Sequence, residues 1–491
     1  MIELKIKNKL MTLFNLLFIL IFGYICLDTL MNPSELFAQM NPVIVILLAV
    51  GVFFGMYQLN SQLEKSTNKK LILISIVSFI IIGLLQLFFI KYFRVIPKWD
   101  FGTVYDSAVN SLESFTQFDS YFYMCYPNNI PLFIFESWLI HLFNNWGISD
   151  FYTALTFVNM GVVLLALGCL YTFIYHRYGL ARATLFSIFM LFVTPLYSYT
   201  TIIYTDTLSM LFPILGLLLY DIFYHSNKKS RYLVLVLLAL VLTLGTLMKN
   251  NVIILVVGIM IHYFMTQKSF EAILSIVILG GIFMVLNSKY EKTIEPYIPI
   301  EMDQVGYPMS HWVMMGLKGN GNYDPDDDAF TMFLKDDSHL SQEDIYKEHL
   351  SVIEQRLEAF GFTGLIKHFQ DKLNFTWADG TYYATYKIMR HPIHDSVFQA
   401  YVFGSHNQVF VYLSQVSHVV MFLLILLSGI RLFRSNGFES VMTITLFGVI
   451  LFLLIWETRS RYIVLFLPMM IALASFGFDE FKHQISKLIK K

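Results

Sequence analysis

Charge is scarce in this chain. Asp, Glu, Lys and Arg make up 14% of its 491 residues, against about 25% in soluble domains. With 56% hydrophobic residues and a mean hydropathy of +0.60, a water-soluble globular class is excluded. The charges almost cancel, 34 basic against 35 acidic, so there is no basic field for nucleic acid. Cysteine is scarcer still, at three residues. Cys26, Cys125 and Cys169 stand far apart, without metal-ligand spacing, which argues against a disulfide framework. Cys26 and Cys169 lie in apolar runs, where a thiol behaves as a small hydrophobe. No solenoid repeat is present. Gly319-Asn320-Gly321 lacks the third glycine, the preceding strand and the spacing of a nucleotide-binding loop.

What the chain does have is apolar runs of spanning length. They fall near residues 10–29, 41–59, 70–93, 152–175, 183–200, 205–224, 231–248, 251–266, 272–287, 407–430, 440–456 and 461–478. The expected fold class is an all-α polytopic membrane protein with about twelve transmembrane helices. Residues 1–69 read as an N-terminal hairpin and 70–287 as a transmembrane module with a first large loop, 94–150. Residues 288–406 read as a second large loop or lid, and 407–491 as C-terminal helices with a basic tail. The charged start, Met1 to Lys9, resembles a signal peptide, but no small-residue cleavage site follows, so it reads as a retained first helix.

Orientation follows from basic turns. Lys5, Lys7 and Lys9 precede the first run; Lys65, Lys69 and Lys70 follow the second; Arg177 and Arg182 follow the fourth. Lys228, Lys229 and Arg231, then Lys268, then Arg431 and Arg434, then Lys482, Lys487, Lys490 and Lys491 continue the pattern. Every second turn is basic, which places these turns and both termini in the cytoplasm and the two large loops outside. Three charged groups break the pattern at the outer face: Lys249, Arg459 and Arg461.

The loop from Arg94 to Asp150 carries the first chemical candidate. Asp100 stands beside Trp99, just past a long apolar run, at headgroup depth. An acid there is costly unless paired or functional. Asp100 reads either as a general base or as the N-cap of an amphipathic helix. Asp119 is a second acid or a turn residue. Asp206, at the outer mouth of its run, binds an acceptor, shares a divalent metal (Mg, Mn or Ca) with Asp100, or caps its helix. Lys249, Arg459 and Arg461 suit a lipid-borne phosphate, with snorkelling to headgroups as the plain alternative. Glu457 pairs with one of the arginines or faces substrate. His311 lacks a second His at helical spacing and binds metal, sugar or nothing. Trp99, Trp312, Trp377 and the tyrosines near Tyr382 suit either sugar stacking or an interfacial belt. Asn374-Phe375-Thr376 matches the N-glycosylation pattern, which matters only in a eukaryotic secretory setting.

The order of these motifs resembles the glycosyltransferase-C superfamily, which includes protein O-mannosyltransferases and lipid A aminoarabinose transferases. More narrowly, Trp99-Asp100, Tyr126-Pro127-Asn128-Asn129, Tyr204-Thr205-Asp206, His311-Trp312-x-x-Met315-Gly316-Leu317 and Glu457-x-Arg459-x-Arg461-Tyr462 resemble a Gram-positive bacterial group of membrane glycosyltransferases. The resemblance covers residues 70–478 and implies an extracytoplasmic site with a polyprenyl-phosphate sugar donor. It implies Asp100 as base, Asp206 near acceptor or metal, and an envelope glycan, lipid or protein as acceptor. The chain departs from the superfamily in an extra N-terminal hairpin and in lacking an adjacent acidic pair at Asp100, which puts metal dependence in doubt. A transporter of lipid-linked saccharides is the alternative. Such a protein places its charges near the bilayer midplane, often on broken helices; here most stand at outer helix ends. A catalytically inactive scaffold is the third reading.

Overall fold

The computed structural model describes residues 2–35, 39–226, 230–337 and 340–489. Lys228, Lys229, Lys490 and Lys491 lie outside the described residues. The first helices are α1 (Ile2–Met31), α2 (Pro42–Leu63), α3 (Asn68–Tyr92), α4 (Trp99–Asn110), α5 (Ile130–Asn145), α6 (Phe151–Tyr178) and α7 (Leu180–Phe189). There follow α8 (Pro195–Ser198), α9 (Thr205–Leu208), α10 (Leu211–His225), α11 (Arg231–Met248), α12 (Ile253–Thr266) and α13 (Ser269–Ile294). The second large loop holds α14 (Met309–Gly316), α15 (Pro325–Met332), α16 (Gln342–Trp377) and α17 (Ala384–Met389). The chain closes with α18 (Gln408–Arg434), α19 (Ser440–Ile455), α20 (Leu467–Ala474) and α21 (Gly477–Ile489). The described residues form no strand, only an isolated bridge between Val95 and Pro392.

Nine described helices are long and apolar enough to cross a membrane. Two shorter apolar helices, Asn250–Thr266 and Ser440–Ile455, fill two further runs. The run at 183–200 is not one straight rod. It bends by 71° between Phe192 and Pro195, where the proline lacks a backbone N–H and restricts the residue before it. The long helices carry a lipid-facing stripe. Leu13, Leu20 and Leu27 of α1, seven residues apart, are 62%, 62% and 64% exposed. Such a stripe on a water-facing helix would be an unexplained apolar patch; against acyl chains it is the expected surface. Helix α18 sits at the centre, packed by α1, α2, α20 and α21.

The basic turns gather at one end of the bundle and are cross-tied there. Arg182 meets Asp479 at 2.5 Å, Lys482 meets Glu64 at 2.7 Å and Arg434 pairs with Glu480. Lys7 donates to the carbonyl of Gln267 at 2.9 Å, and Arg231 lies 3.5 Å from Glu271. The two large loops cover the other end. Helix α16 breaks at Gly361, whose φ of 56° only glycine adopts without strain.

The N-glycosylation motif lies within α16. The Asn374 side-chain amide donates to Asp28 at 2.8 Å and to the Asn32 carbonyl at 3.0 Å, and Thr376 is buried. The amide that would carry a glycan is already spent on packing.

Candidate active site

The site begins with a corner of backbone. Val95 and Pro392 bridge, Ile96 N–H donates to His391 O at 2.8 Å, and Ile393 N–H donates to Arg94 O at 2.9 Å. The first loop is thereby tied to the chain leaving α17. Pro97 then turns the chain, and Trp99 takes a left-handed φ of 58° at the start of α4. A non-glycine residue costs about 1–2 kcal/mol there, and such strain clusters where a site needs a fixed geometry. The turn leaves no room at Gly102, where a Cβ would lie 2.6 Å from the Pro97 carbonyl carbon. Gly102→Ala is therefore expected to cost about 1–3 kcal/mol by overpacking. Thermal melting checks it, and an unchanged midpoint would show that the corner yields freely.

Asp100 occupies the first turn of α4, with Lys98 as the N-cap. The cap alternative thus does not describe it. Its carboxylate is half-buried and accepts a hydrogen bond from Tyr121 Oη at 3.1 Å. Asn129 Nδ2 donates to Tyr121 Oη at 2.6 Å, and Tyr204 Oη donates to Asn129 Oδ1 at 3.1 Å. The three donors form a relay that ends on the Asp100 carboxylate and fixes its orientation. Burial and the Asp100 charge hold the Tyr121 phenol far above its ordinary range, so it stays a donor.

Opposite Asp100 stands a cation cluster. Lys249 Nζ lies 2.6 Å from Asp206 Oδ1 and 3.2 Å from Thr205 Oγ1. Arg461 approaches the other Asp206 oxygen at 3.8 Å, and its buried Nε has no hydrogen-bond partner among the described residues. Arg459 donates to Tyr383 Oη, with its Nε 3.9 Å from Glu457. Glu457 is buried and accepts from Tyr462 Oη at 2.5 Å; burial raises its carboxyl above the usual range.

The lid holds these groups in place through buried polar contacts. Lys372 Nζ donates to the Gly316 and Trp456 carbonyls, each at 2.8 Å. Burial pushes this ammonium down to about 7. Glu457 N–H donates to Trp312 O at 3.0 Å, and Thr458 N–H to Gly321 O at 2.7 Å. Buried Asp379 accepts from Thr381 N–H at 2.8 Å, Tyr383 N–H at 2.6 Å and Ser460 Oγ at 2.9 Å. These bonds stabilise consecutive left-handed residues, Tyr382 and Tyr383, at φ 53° and 68°. They also fasten α17 to the segment bearing Arg459 and Arg461.

The result is one cavity of about 570 Å³ at the loop-covered end of the bundle, within the range of small-ligand pockets. Trp99, Asp100, Tyr126, Asn128, Asn129 and Tyr204 line it, as do Lys249, Trp312, Glu457, Arg459 and Arg461. Asp206 lies behind the wall, its oxygens facing Lys249 and Arg461. It presents no free carboxylate to a metal shared with Asp100, so that pairing does not fit. No group of three His, Cys, Asp or Glu suited to a metal ion occurs among the described residues. Asp119 is exposed outside the cavity, and its carboxylate accepts from Tyr121 N–H at 3.0 Å, as a turn residue does. His311 is fully buried in the lid, bonded through Nδ1 to Thr331 Oγ1 at 2.7 Å. Trp377 is buried among the helices.

Several cavity residues were not singled out from the sequence. Lys387 and Arg390 form a wall from α17 and its C-cap, together with Tyr383 and Tyr386 of the tyrosine cluster the sequence did point to. Asp328 of α15 accepts from Tyr126 Oη at 3.1 Å, and its burial raises the carboxyl above the usual range. The Tyr382 neighbourhood drew attention for its aromatics, but its cations lie in a short helix without a periodic signal.

A helical bundle of spanning length, lipid-facing leucines and a charged cavity at one end define an integral membrane protein. The chain belongs to the family described as conserved hypothetical integral membrane proteins, which it matches over residues 4–482. Comparison with curated proteins gives no match. Among solved structures the chain is similar to the archaeal oligosaccharyltransferase AglB from Archaeoglobus fulgidus, in complex with an inhibitory peptide and a dolichol-phosphate. The identity is 12%, the TM-score 0.44, and the alignment covers 84% of this chain. It covers 51% of AglB, so the chain spans about half the length of that protein.

Proposed function

We propose that this protein is a membrane glycosyltransferase of glycosyltransferase-C type. It moves a sugar from a polyprenyl-phosphate donor to a cell-envelope acceptor at the extracytoplasmic face, with both termini in the cytoplasm. The observation that carries this reading is one cavity, at the loop-covered end of the helix bundle, in which a half-buried carboxylate shares the lining with Lys249, Arg459 and Arg461.

The chemistry follows from the parts. Asp100 takes the proton of an acceptor hydroxyl. The hydroxyl oxygen attacks the anomeric carbon as the bond from that carbon to the phosphate oxygen breaks. The departing phosphate keeps the bonding electrons, and Arg459, Arg461 and Lys249 meet its charge. Attack opposite the leaving group makes one carboxylate sufficient and inverts the anomeric centre. The Tyr121-Asn129-Tyr204 chain orients the base, and Trp312, Tyr126 and Asn128 offer stacking and hydrogen-bonding surface to sugar.

The test uses the wild-type protein in lipid nanodiscs with radiolabelled polyprenyl-phosphate sugars and envelope extract. Label is expected to pass to the acceptor with one or more donors. Label that stays on the lipid, while the lipid crosses between leaflets of proteoliposomes, would replace this reading by the transporter.

A further inference from the structure

Five cations line the cavity, but they fall into two kinds. Lys249, Arg461 and Arg459 each stand within 4.0 Å of a carboxylate, at 2.6, 3.8 and 3.9 Å. Lys387 and Arg390 do not. Neither side chain makes a hydrogen bond or ion pair with another described residue. Both rest on one aromatic face, with Lys387 Nζ 4.7 Å and Arg390 Cζ 4.0 Å from the Trp99 ring centroid. Arg390 also lies 5.1 Å over Tyr386. A ring face attracts cations but uses none of their N–H donors directionally, so these donors remain for a ligand. The backbone pairing of residues 94–96 with 391–393 locks this group together. Trp99 directly precedes Asp100 in the chain, so the two cations stand on the base side of the cavity.

We propose that Lys387 and Arg390 form a second anion subsite that receives an acidic group of the acceptor glycan, a phosphate or a carboxylate. The proposal rests on Asp100 being the base, since that places the acceptor beside Trp99. The donor phosphate is met by the other three cations. An acidic acceptor balances a pair that has no carboxylate of a described residue within 4.0 Å, and Arg390 gives such a group a planar two-point contact.

Lys387 adds a pH signature. Burial and the neighbouring Arg461 push its ammonium down to about 7, with Arg459 acting in the same direction and Asp100 and Asp206 opposing. It is charged below that value and neutral above, so acidic ligands bind less well as pH rises through it.

The experiment measures binding by calorimetry in nanodiscs. The probes are glycerol phosphate oligomers, oligogalacturonate, a neutral malto-oligosaccharide and undecaprenyl phosphate. At least one acidic oligomer is expected to bind wild type while the neutral one does not, and which acidic probe binds identifies phosphate or carboxylate. Arg390→Gln is expected to weaken acidic binding about tenfold or more and to leave undecaprenyl phosphate affinity unchanged. Lys347→Gln, the same charge change on the exposed face of α16, is expected to leave both unchanged. Lys387→Arg, which stays charged, is expected to keep binding and remove its pH dependence. Absence of acidic binding by wild type would overturn the proposal. So would an equal loss of undecaprenyl phosphate binding in Arg390→Gln, which would assign the pair to the donor. Acidic binding as expected, without label transfer from any donor, would leave the subsite standing and remove the transferase reading.

Discussion

Asp100→Asn is expected to lower sugar transfer by about 10²–10⁴-fold, the usual contribution of a positioned general base. Asparagine keeps the shape and still accepts from Tyr121 Oη, which lies 3.1 Å from the native carboxylate. It cannot take up a proton at neutral pH. Because Asp100 is only half-buried and forms no ion pair within 4.0 Å with a described residue, the substitution leaves no charge stranded in the core. The expected phenotype is a folded, inserted protein with an unchanged melting midpoint and donor affinity, and almost no turnover. Transfer at the wild-type rate would remove Asp100 from the mechanism. Tyr121→Phe provides a graded companion: the hydroxyl 3.1 Å from the carboxylate is lost, the base is less firmly oriented, and transfer should fall about tenfold at unchanged donor affinity.

Asp206→Ala is expected to produce the largest loss of stability, about 3–5 kcal/mol. Asp206 is 2% exposed and serves two cations at once. Removing it leaves Lys249 and Arg461 facing each other without a counter-charge. Thermal unfolding in nanodiscs should show a lowered midpoint. High phosphate should partly restore it by placing an anion between the cations, as binding to the native state alone stabilises it. The double variant Asp206→Leu/Lys249→Met should lose less than Asp206→Ala, because one stranded charge goes with the acid. A midpoint equal to wild type in Asp206→Ala would mean that solvent already neutralises the cluster.

Asp206 also shows where sequence reasoning stops. It and Lys249 stand 43 residues apart, and Arg461 is far beyond both. Read along the chain, the acid and the cations are separate tools, one for acceptor or metal and the others for phosphate. Folded, they are one ion cluster whose acid orients the cations. Asp119 and His311 diverge in a similar way. Each has a residue type suited to chemistry, but one ends in an exposed turn and the other in the interior of the lid. Lys387 and Arg390 are the reverse case. They lie in and just after the short helix α17, which carries no periodic signal, and gain meaning only when residues 391–393 pair with residues 94–96 beside Trp99.

The sequence by itself determined the membrane class, the positions of the apolar runs, and the clustering of Asp100, Lys249, Arg459 and Arg461 at helix ends. These are local properties. Transfer of side chains into hydrocarbon sums along a run of about 20 residues, and a charge at the end of such a run sits near the headgroups whatever the rest of the chain does. Only the tertiary structure decided which charges face each other, which acid stays free and which cations keep unspent donors. Those outcomes depend on separations of a few ångströms between residues tens to hundreds of positions apart, because an ion pair forms or fails over that distance in a low-dielectric setting.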